Sequence, residues 1–183
     1  MEKPAWRLRS SSYVVDTPFM RLRKDEVELP DGTVIPDYFV RESNGFVVIF
    51  ALTTGGRVLL GREFRYGCDA IGLELPAGNI ADGEEPLACA LRELREETGY
   101  RAGSIEPIGS WYAEPVRSSA RAYAFLVRDA VEAGEQILDA TEHIEVLEVA
   151  LPELRAMLAD GRIHSLSSVA VAYRALDALA PTP

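Results

Sequence analysis

The run Gly45-Phe46-Val47-Val48-Ile49-Phe50-Ala51-Leu52 is apolar throughout and rich in β-branched and aromatic residues, which predicts a buried strand. Gly55-Gly56 supplies the turn after it, and Arg57–Phe64 its hairpin partner. Upstream the apolar stretches are shorter. Trp6–Ser12, Phe19–Lys24 and Glu26–Leu29 read as strands, followed by a Pro30-Asp31-Gly32 turn and a further strand through Tyr38-Phe39-Val40. A glycine-containing segment, Leu73-Glu74-Leu75-Pro76-Ala77-Gly78, then leads into a helix. Pro86 suits its first turn and Gly99 the position just past its end. Beyond it, Ile105–Tyr112, Arg121–Val127 and Ile144–Val149 read as strands. A last helical region runs from Pro152 toward Leu179, with a break at Gly161. Strands outnumber helices without strict alternation, so the expected fold class is α/β: a mixed sheet covered by helices.

The helix between Pro86 and Gly99 carries two patterns. Leu87, Leu91, Leu94 and Thr98 lie at i, i+4, i+7 and i+11, which predicts one narrow buried stripe. Glu93, Glu96 and Glu97 lie at i, i+3 and i+4 and bring three carboxylates together on another face. Like charges at these spacings weaken an isolated helix by tenths of a kcal/mol per pair, roughly. Arg92 and Arg95 offset part of that repulsion, and a hard divalent cation bound by the oxygens would offset more. Three clustered glutamates alone are better explained by a solvated acidic face; the wider pattern around them decides otherwise.

With 183 residues, 48% of them hydrophobic, the chain is long enough for one domain with a real core and a modest extension. No apolar run approaches the roughly 20 residues of a membrane span. The start, MEKPAWRLRS, lacks the apolar stretch of a secretory signal, so a cytoplasmic setting is expected. Cys68 and Cys89 belong to no CxxC or Cys/His cluster and read as isolated thiols. The formal net charge of −10 argues against long nucleic acid, whose binding rests on phosphate contacts from a basic face. A small phosphorylated substrate stays compatible, because carboxylates reach phosphate through divalent cations.

Gly78 is followed after five residues by Glu84, and after seven more by Arg92-Glu93-Leu94-Arg95-Glu96-Glu97-Thr98-Gly99-Tyr100. This resembles the signature of the Nudix hydrolases at every defining position, with Tyr100 as the final bulky apolar residue. The resemblance implies an α/β/α sandwich and binding of Mg²⁺ or Mn²⁺ by the helix glutamates. Carried over by position, Glu93 and Glu97 would be the main metal ligands, joined by Glu96 and the backbone carbonyl of Ala77. Arg92 would orient a ligating carboxylate, and Glu84 would hold the loop. The implied reaction is metal-assisted hydrolysis of a pyrophosphate, in which a carboxylate takes a proton from the attacking water.

The resemblance extends beyond this box. Arg62-Glu63-Phe64-Arg65-Tyr66-Gly67 followed by Leu73–Gly78 is similar to the approach to the box in ADP-ribose pyrophosphatases. Those enzymes usually carry a Pro sixteen residues after the last Gly of the box, and Pro115 stands there, within Glu114-Pro115-Val116 where the subfamily has Ser-Pro-Gly. The missing Gly changes the freedom of that loop and leaves the sugar nucleotide open. The N-terminal strands, residues 1–42, resemble the extension through which these enzymes form homodimers, with residues 43–183 as the Nudix domain. Arg65 would contact the substrate diphosphate or distal ribose, the alternative being an exposed arginine at a strand end. A base is expected from the segment before the last strand, with Glu142 the choice and Asp139 the reserve. His143 reads as a surface imidazole, the alternative being a base, and His164 has no partner visible in sequence. Trp6 and Trp111 read as core aromatics, the alternative being stacking on an adenine.

The substrate the resemblance implies is ADP-ribose, cleaved to AMP and ribose 5-phosphate. GDP-mannose, ADP-glucose or NADH are the alternatives. A non-catalytic ligand-sensing module and an enzyme acting on RNA 5′ ends are further readings, the first disfavoured by the complete set of acids and the second by the acidic charge.

Overall fold

The structure is a computed structural model, and it describes residues 6–180. Residues 1–5, part of the segment read above for a secretory leader, lie outside the described residues. The chain divides into two compact units. One contains the residues up to Gly45 together with Tyr112–Arg121; the other contains Phe46–Trp111 and the residues from Ala122 onward.

In the first unit, β1 (Arg7–Asp16), β2 (Arg21–Glu28) and β3 (Val34–Glu42) form an antiparallel sheet in that order. The stretches read separately as Phe19–Lys24 and Glu26–Leu29 are one strand. Asp25, the one residue between them, marks an irregularity of register at Asp25–Val27, not a turn. Asp25 is buried there, and its charge is matched by Arg23 Nε at 2.9 Å and the Ser11 hydroxyl at 2.6 Å. The segment Tyr112–Arg121 joins this sheet through backbone bonds. Arg41 N–H donates to the Arg117 carbonyl at 2.8 Å, and Ser119 N–H to that of Arg41 at 3.1 Å.

The second unit begins with β4 (Phe46–Thr53) and β5 (Arg57–Arg65). A 3-10 turn over Tyr66–Cys68 follows, and then β6 (Ala70–Glu74), β7 (Ala77–Asn79) and the helix α1 (Pro86–Thr98). Next come β8 (Tyr100–Arg101), β9 (Ser104–Tyr112), β10 (Arg121–Glu132), β11 (Glu145–Ala150), α2 (Leu151–Asp160) and α3 (Leu166–Ala178). The sheet runs β11-β5-β4-β10-β8, with β6 beside β5, β7 beside β4 and β9 beside β10. β10 is parallel to β4, whereas β5 and β7 pair with β4 antiparallel, so the sheet is mixed.

The period-two geometry of a strand sorts the central apolar residues onto two faces. Val48, Phe50, Val58, Leu60, Ala124 and Leu126 pack with Leu154, Met157, Val171 and Ala175 of α2 and α3. Val47, Ile49, Ala51, Leu59, Phe125 and Val127 pack with Cys89, Ala90 and Leu94 of α1. Helices therefore cover both faces, which gives the α/β/α sandwich expected from sequence. Burying each large side chain contributes about 1.5–3 kcal/mol, so two filled faces fix β4 and its neighbours as a rigid platform.

Helix α1 begins at Pro86 and ends at Gly99, where a φ of 76° closes it in the left-handed conformation. Its buried face differs from the predicted stripe. Leu87 and Leu91 are 46% and 43% exposed, and the helix seats itself by Cys89, Ala90, Leu94, Glu97 and Thr98. Small Cys89 and Ala90 side chains let the helix axis approach the sheet, which turns the two leucines outward. The C-terminal helical region breaks at Gly161, as its sequence suggests. Among the described residues no helix is long and apolar enough to cross a membrane.

Candidate active site

Strand β7 places its backbone beside α1. The Ile49 N–H donates to the Pro76 carbonyl, so the ladder groups of the next residue, Ala77, point away from β4. The Ala77 N–H donates to Glu97 Oε2 at 3.0 Å, and the Ala77 carbonyl, on the same edge of the strand, faces the same side. A Cβ at Gly78 would run into the Glu93 carboxylate and force that side chain to move.

The loop between β7 and α1 is closed by Glu84. Its carboxylate accepts from the Ala81 N–H at 3.0 Å and takes the Arg92 guanidinium in a two-pronged pair, 2.8 Å from Nε and 3.0 Å from Nη2. Those bonds hold the Glu84 carboxyl down at about 2. The remaining Arg92 nitrogen, Nη1, donates to Glu93 Oε1 at 2.7 Å and Glu96 Oε2 at 2.9 Å. Arg92 thus ties the loop glutamate to two of the three helix glutamates.

Glu97 is 9% exposed. Burial, with the charges of Glu93 and Glu142 adding to it, pushes its carboxyl up to about 8 against the pull of the Ala77 N–H. Burial also raises Glu93, helped by Glu96 and Glu142. Among the described residues no three His, Cys, Asp or Glu side chains converge on one point as they stand, since Arg92 occupies the space between Glu93 and Glu96. The donor chemistry nevertheless suits a hard divalent cation: carboxylate oxygens, an outward backbone carbonyl, and an excess of buried negative charge that a cation would relieve.

Glu142 is half-buried, and its charge reaches Glu63, Glu93 and Glu97, raising the carboxyl of each. Asp139 is exposed and forms a tight turn with it. The Glu142 N–H donates to the Asp139 carbonyl at 2.9 Å, and the Asp139 N–H to Glu142 Oε2 at 3.0 Å. The structure therefore brings Glu142, not Asp139, toward the helix acids. Arg65, at the end of β5, is bracketed by Glu63 at 2.9 Å and by Glu74 at 3.0 and 3.2 Å. Glu63, Arg65, Glu74, Pro76, Glu97 and Ile144 line one small cleft, so Arg65 is more than a loose strand-end charge. Pro115 belongs to the other compact unit, in the loop where Arg117 and Ser118 N–H groups bond the Glu114 carbonyl.

His143 is exposed, as expected, and so is His164. The tryptophans are not core: Trp6 is half-exposed and meets Tyr38 edge-on at 5.6 Å, and Trp111 is exposed to a similar degree. Cys89 is buried beneath the loop, where its thiol is pushed up to about 12 by burial, whereas Cys68 is exposed. Sequence reasoning passed over two residues at the site. Glu63 sits within the quoted Arg62–Gly67 segment. Gln136 bonds the Glu97 carbonyl from 39 residues away and leaves no pattern in sequence.

Comparison with known proteins identifies the family of the chain. Residues 43–168 match the NUDIX domain, and residues 6–40 match the nucleoside diphosphate sugar hydrolase N-terminal domain. The chain is 33% identical over 141 residues to an ADP-ribose pyrophosphatase of Bacillus subtilis, covering 76% of each. It is 30% identical over 166 residues to a GDP-mannose pyrophosphatase of Yersinia enterocolitica, covering 83% of this chain and 85% of that one. A crystal structure of an ADP compounds hydrolase superposes with a TM-score of 0.84 at 19% identity, covering 95% of this chain and 94% of that one, a likeness of fold. The chain belongs to the Nudix family.

Proposed function

We propose that this Nudix enzyme hydrolyses the diphosphate bond of a nucleoside diphosphate sugar, with ADP-ribose the substrate, giving AMP and ribose 5-phosphate. The observation that carries the reading is the buried Glu97, which shares its helix with Glu93 and Glu96, accepts from the Ala77 N–H, and lines a cleft together with Glu63, Arg65 and Glu74. The similarity to relatives named for ADP-ribose and GDP-mannose supports the substrate class.

Glu93, Glu96, Glu97 and the Ala77 carbonyl would hold Mg²⁺ or Mn²⁺. When bound, such ions drain charge from the diphosphate oxygens and acidify water. Arg92 keeps Glu93 and Glu96 in place, and Glu84 keeps Arg92 in place. Arg65 exchanges part of its hold on Glu63 and Glu74 for the phosphate, to whose oxygens its planar fork donates two N–H bonds. Glu142 takes the proton as water attacks phosphorus. The bond from that phosphorus to the bridging oxygen breaks, and two phosphomonoesters leave. Leu8 and Val14 on β1 are exposed, as is Phe19 in the bend after it, at 98%, and these apolar side chains support a homodimer formed through the N-terminal strands. A cytoplasmic setting belongs to the same reading.

The test is product analysis. The purified protein with Mg²⁺ or Mn²⁺ should convert ADP-ribose to AMP and ribose 5-phosphate, faster than it attacks GDP-mannose, ADP-glucose, NADH or diadenosine polyphosphates. If all of these survive, the reading is wrong. If GDP-mannose is cleaved fastest, the reaction stands and the substrate does not.

A further inference from the structure

Helix α1 ends in a manner that links two parts of the site. The last four carbonyls of a helix lack partners within it and are usually satisfied by a cap or by water. Here the Arg95 carbonyl is capped by Gly99 N–H, but the next two are taken by the segment after β10. Ile137 N–H donates to the Glu96 carbonyl at 2.9 Å, and Gln136 Nε2 donates to the Glu97 carbonyl. Ala133 N–H reaches the Gly99 carbonyl at 2.8 Å, and Arg95 Nη1 reaches the Glu135 carbonyl at 2.7 Å. Gly99 itself faces the Gly134 carbonyl so closely that a Cβ would not fit.

Gln136 makes a second bond. The same Nε2 donates to the Ile144 carbonyl at 3.0 Å, just before β11. A carboxamide nitrogen carries two hydrogens, and both facing groups are carbonyls, so the orientation of the amide is fixed by chemistry. One side chain thereby gathers the end of the glutamate helix and both ends of the loop 137–144. Within that loop, Glu142 and Asp139 lock each other through the turn described above.

We propose that Gln136 is a positioning residue: its amide fixes the loop bearing Glu142 against the helix turn bearing Glu97, setting the distance between the proton acceptor and the metal-binding carboxylates. The assignment rests on the roles given above to Glu97 and Glu142. Gln136 touches neither substrate nor the Glu142 carboxylate; it acts through the backbone at both ends of the loop. Misplacement by about 1 Å costs on the order of 100-fold in rate when a reacting group must be held in line.

Three variants of the full-length protein test this. Gln136→Met keeps the length and removes the donors. Gln136→Glu puts an acceptor against two carbonyls. Gln136→Lys restores donors at nearly the same reach. Measured on whichever panel substrate the wild type cleaves, kcat should fall at least tenfold for Met and further for Glu, with KM within threefold. The Lys variant should recover at least part of the loss. Hydrogen exchange at the Asp139 and Glu142 amides should accelerate at least tenfold in the Met variant. Wild-type kcat in the Met variant, unchanged exchange at those amides, or no recovery with Lys would each overturn the proposal. If the Met variant does not fold, the Lys variant decides alone, and must lie within tenfold of wild-type kcat. A wild-type protein inert toward the whole panel would refute the proposed reaction instead, and the exchange measurement would still judge the tether.

Discussion

Glu97→Gln in metal-free protein tests how the buried carboxylate is held. Glutamine keeps the size of the side chain and an oxygen for the Ala77 N–H, and removes the ionisation. In the folded protein the Glu97 carboxyl titrates at about 8, against 4.5 when unfolded, chiefly because it is buried. Between those values the folded state keeps a proton that the unfolded state has released. Stability is therefore highest below pH 4.5, falls as pH rises and levels off above about 8. At 1.36 kcal/mol per tenfold in proton activity, the full span is at most ~5 kcal/mol, and relaxation and water penetration reduce it to about 2–4 kcal/mol. The variant lacks this loss. In EDTA its stability should match wild type near pH 5 and exceed it near pH 9, by roughly 5–15 °C in Tm for a chain of this size. Mg²⁺ should stabilise wild type at pH 9 and leave the variant nearly unmoved, because binding requires the deprotonated carboxylate. Hydrolysis should fall by orders of magnitude in the variant. The measurement is thermal unfolding by circular dichroism across pH, with and without EDTA. Parallel pH profiles for the two proteins, or a fully active variant, would refute the reasoning.

Glu142→Gln should lower kcat by about 100-fold or more, as expected for loss of a general base. Asp139→Asn should change it by less than threefold in the same steady-state assay, and the opposite ranking would move the base to Asp139. Arg65→Ala should raise KM by roughly tenfold or more, and Arg65→Lys should recover little of that if the guanidinium fork matters. Gly99→Ala combines a φ of 76° with a clash against the Gly134 carbonyl, so it should cost about 1–3 kcal/mol in urea unfolding.

Much of this fold is written in local pattern. The strand over Phe46–Thr53 is legible because its side chains are apolar on both faces, and the helix over Pro86–Thr98 because Pro86 and Gly99 have local backbone reasons to stand at its ends. The cluster of Glu93, Glu96 and Glu97 is legible because their spacing stacks them on one helix face, whereas the metal-binding role proposed for them came from the family resemblance. What failed was the side of the helix that packs. Leucine spacing reports where large apolar groups fall, whereas contact with the sheet is set by how closely the backbone approaches, and Cys89 and Ala90 permit that. The two-residue β8 is too short to carry a period. Sequence ranks Glu142 ahead of Asp139 only by its place before the last strand; that the two share one turn, with Glu142 half-buried and Asp139 exposed, is seen only in the structure. Gln136 is illegible for another reason: its partners are backbone carbonyls, which every residue has.

The two cysteines lie in opposite surroundings, and this has a practical use. Cys89 is buried with its thiol held up at about 12, while Cys68 sits exposed on the 3-10 turn, its Sγ 3.4 Å from the Arg65 carbonyl. Thiol-directed dyes require the thiolate and access to it. The natural protein therefore offers one reactive anchor for a fluorophore, three residues beyond Arg65, and nucleotide arrival could be followed optically without engineering the chain.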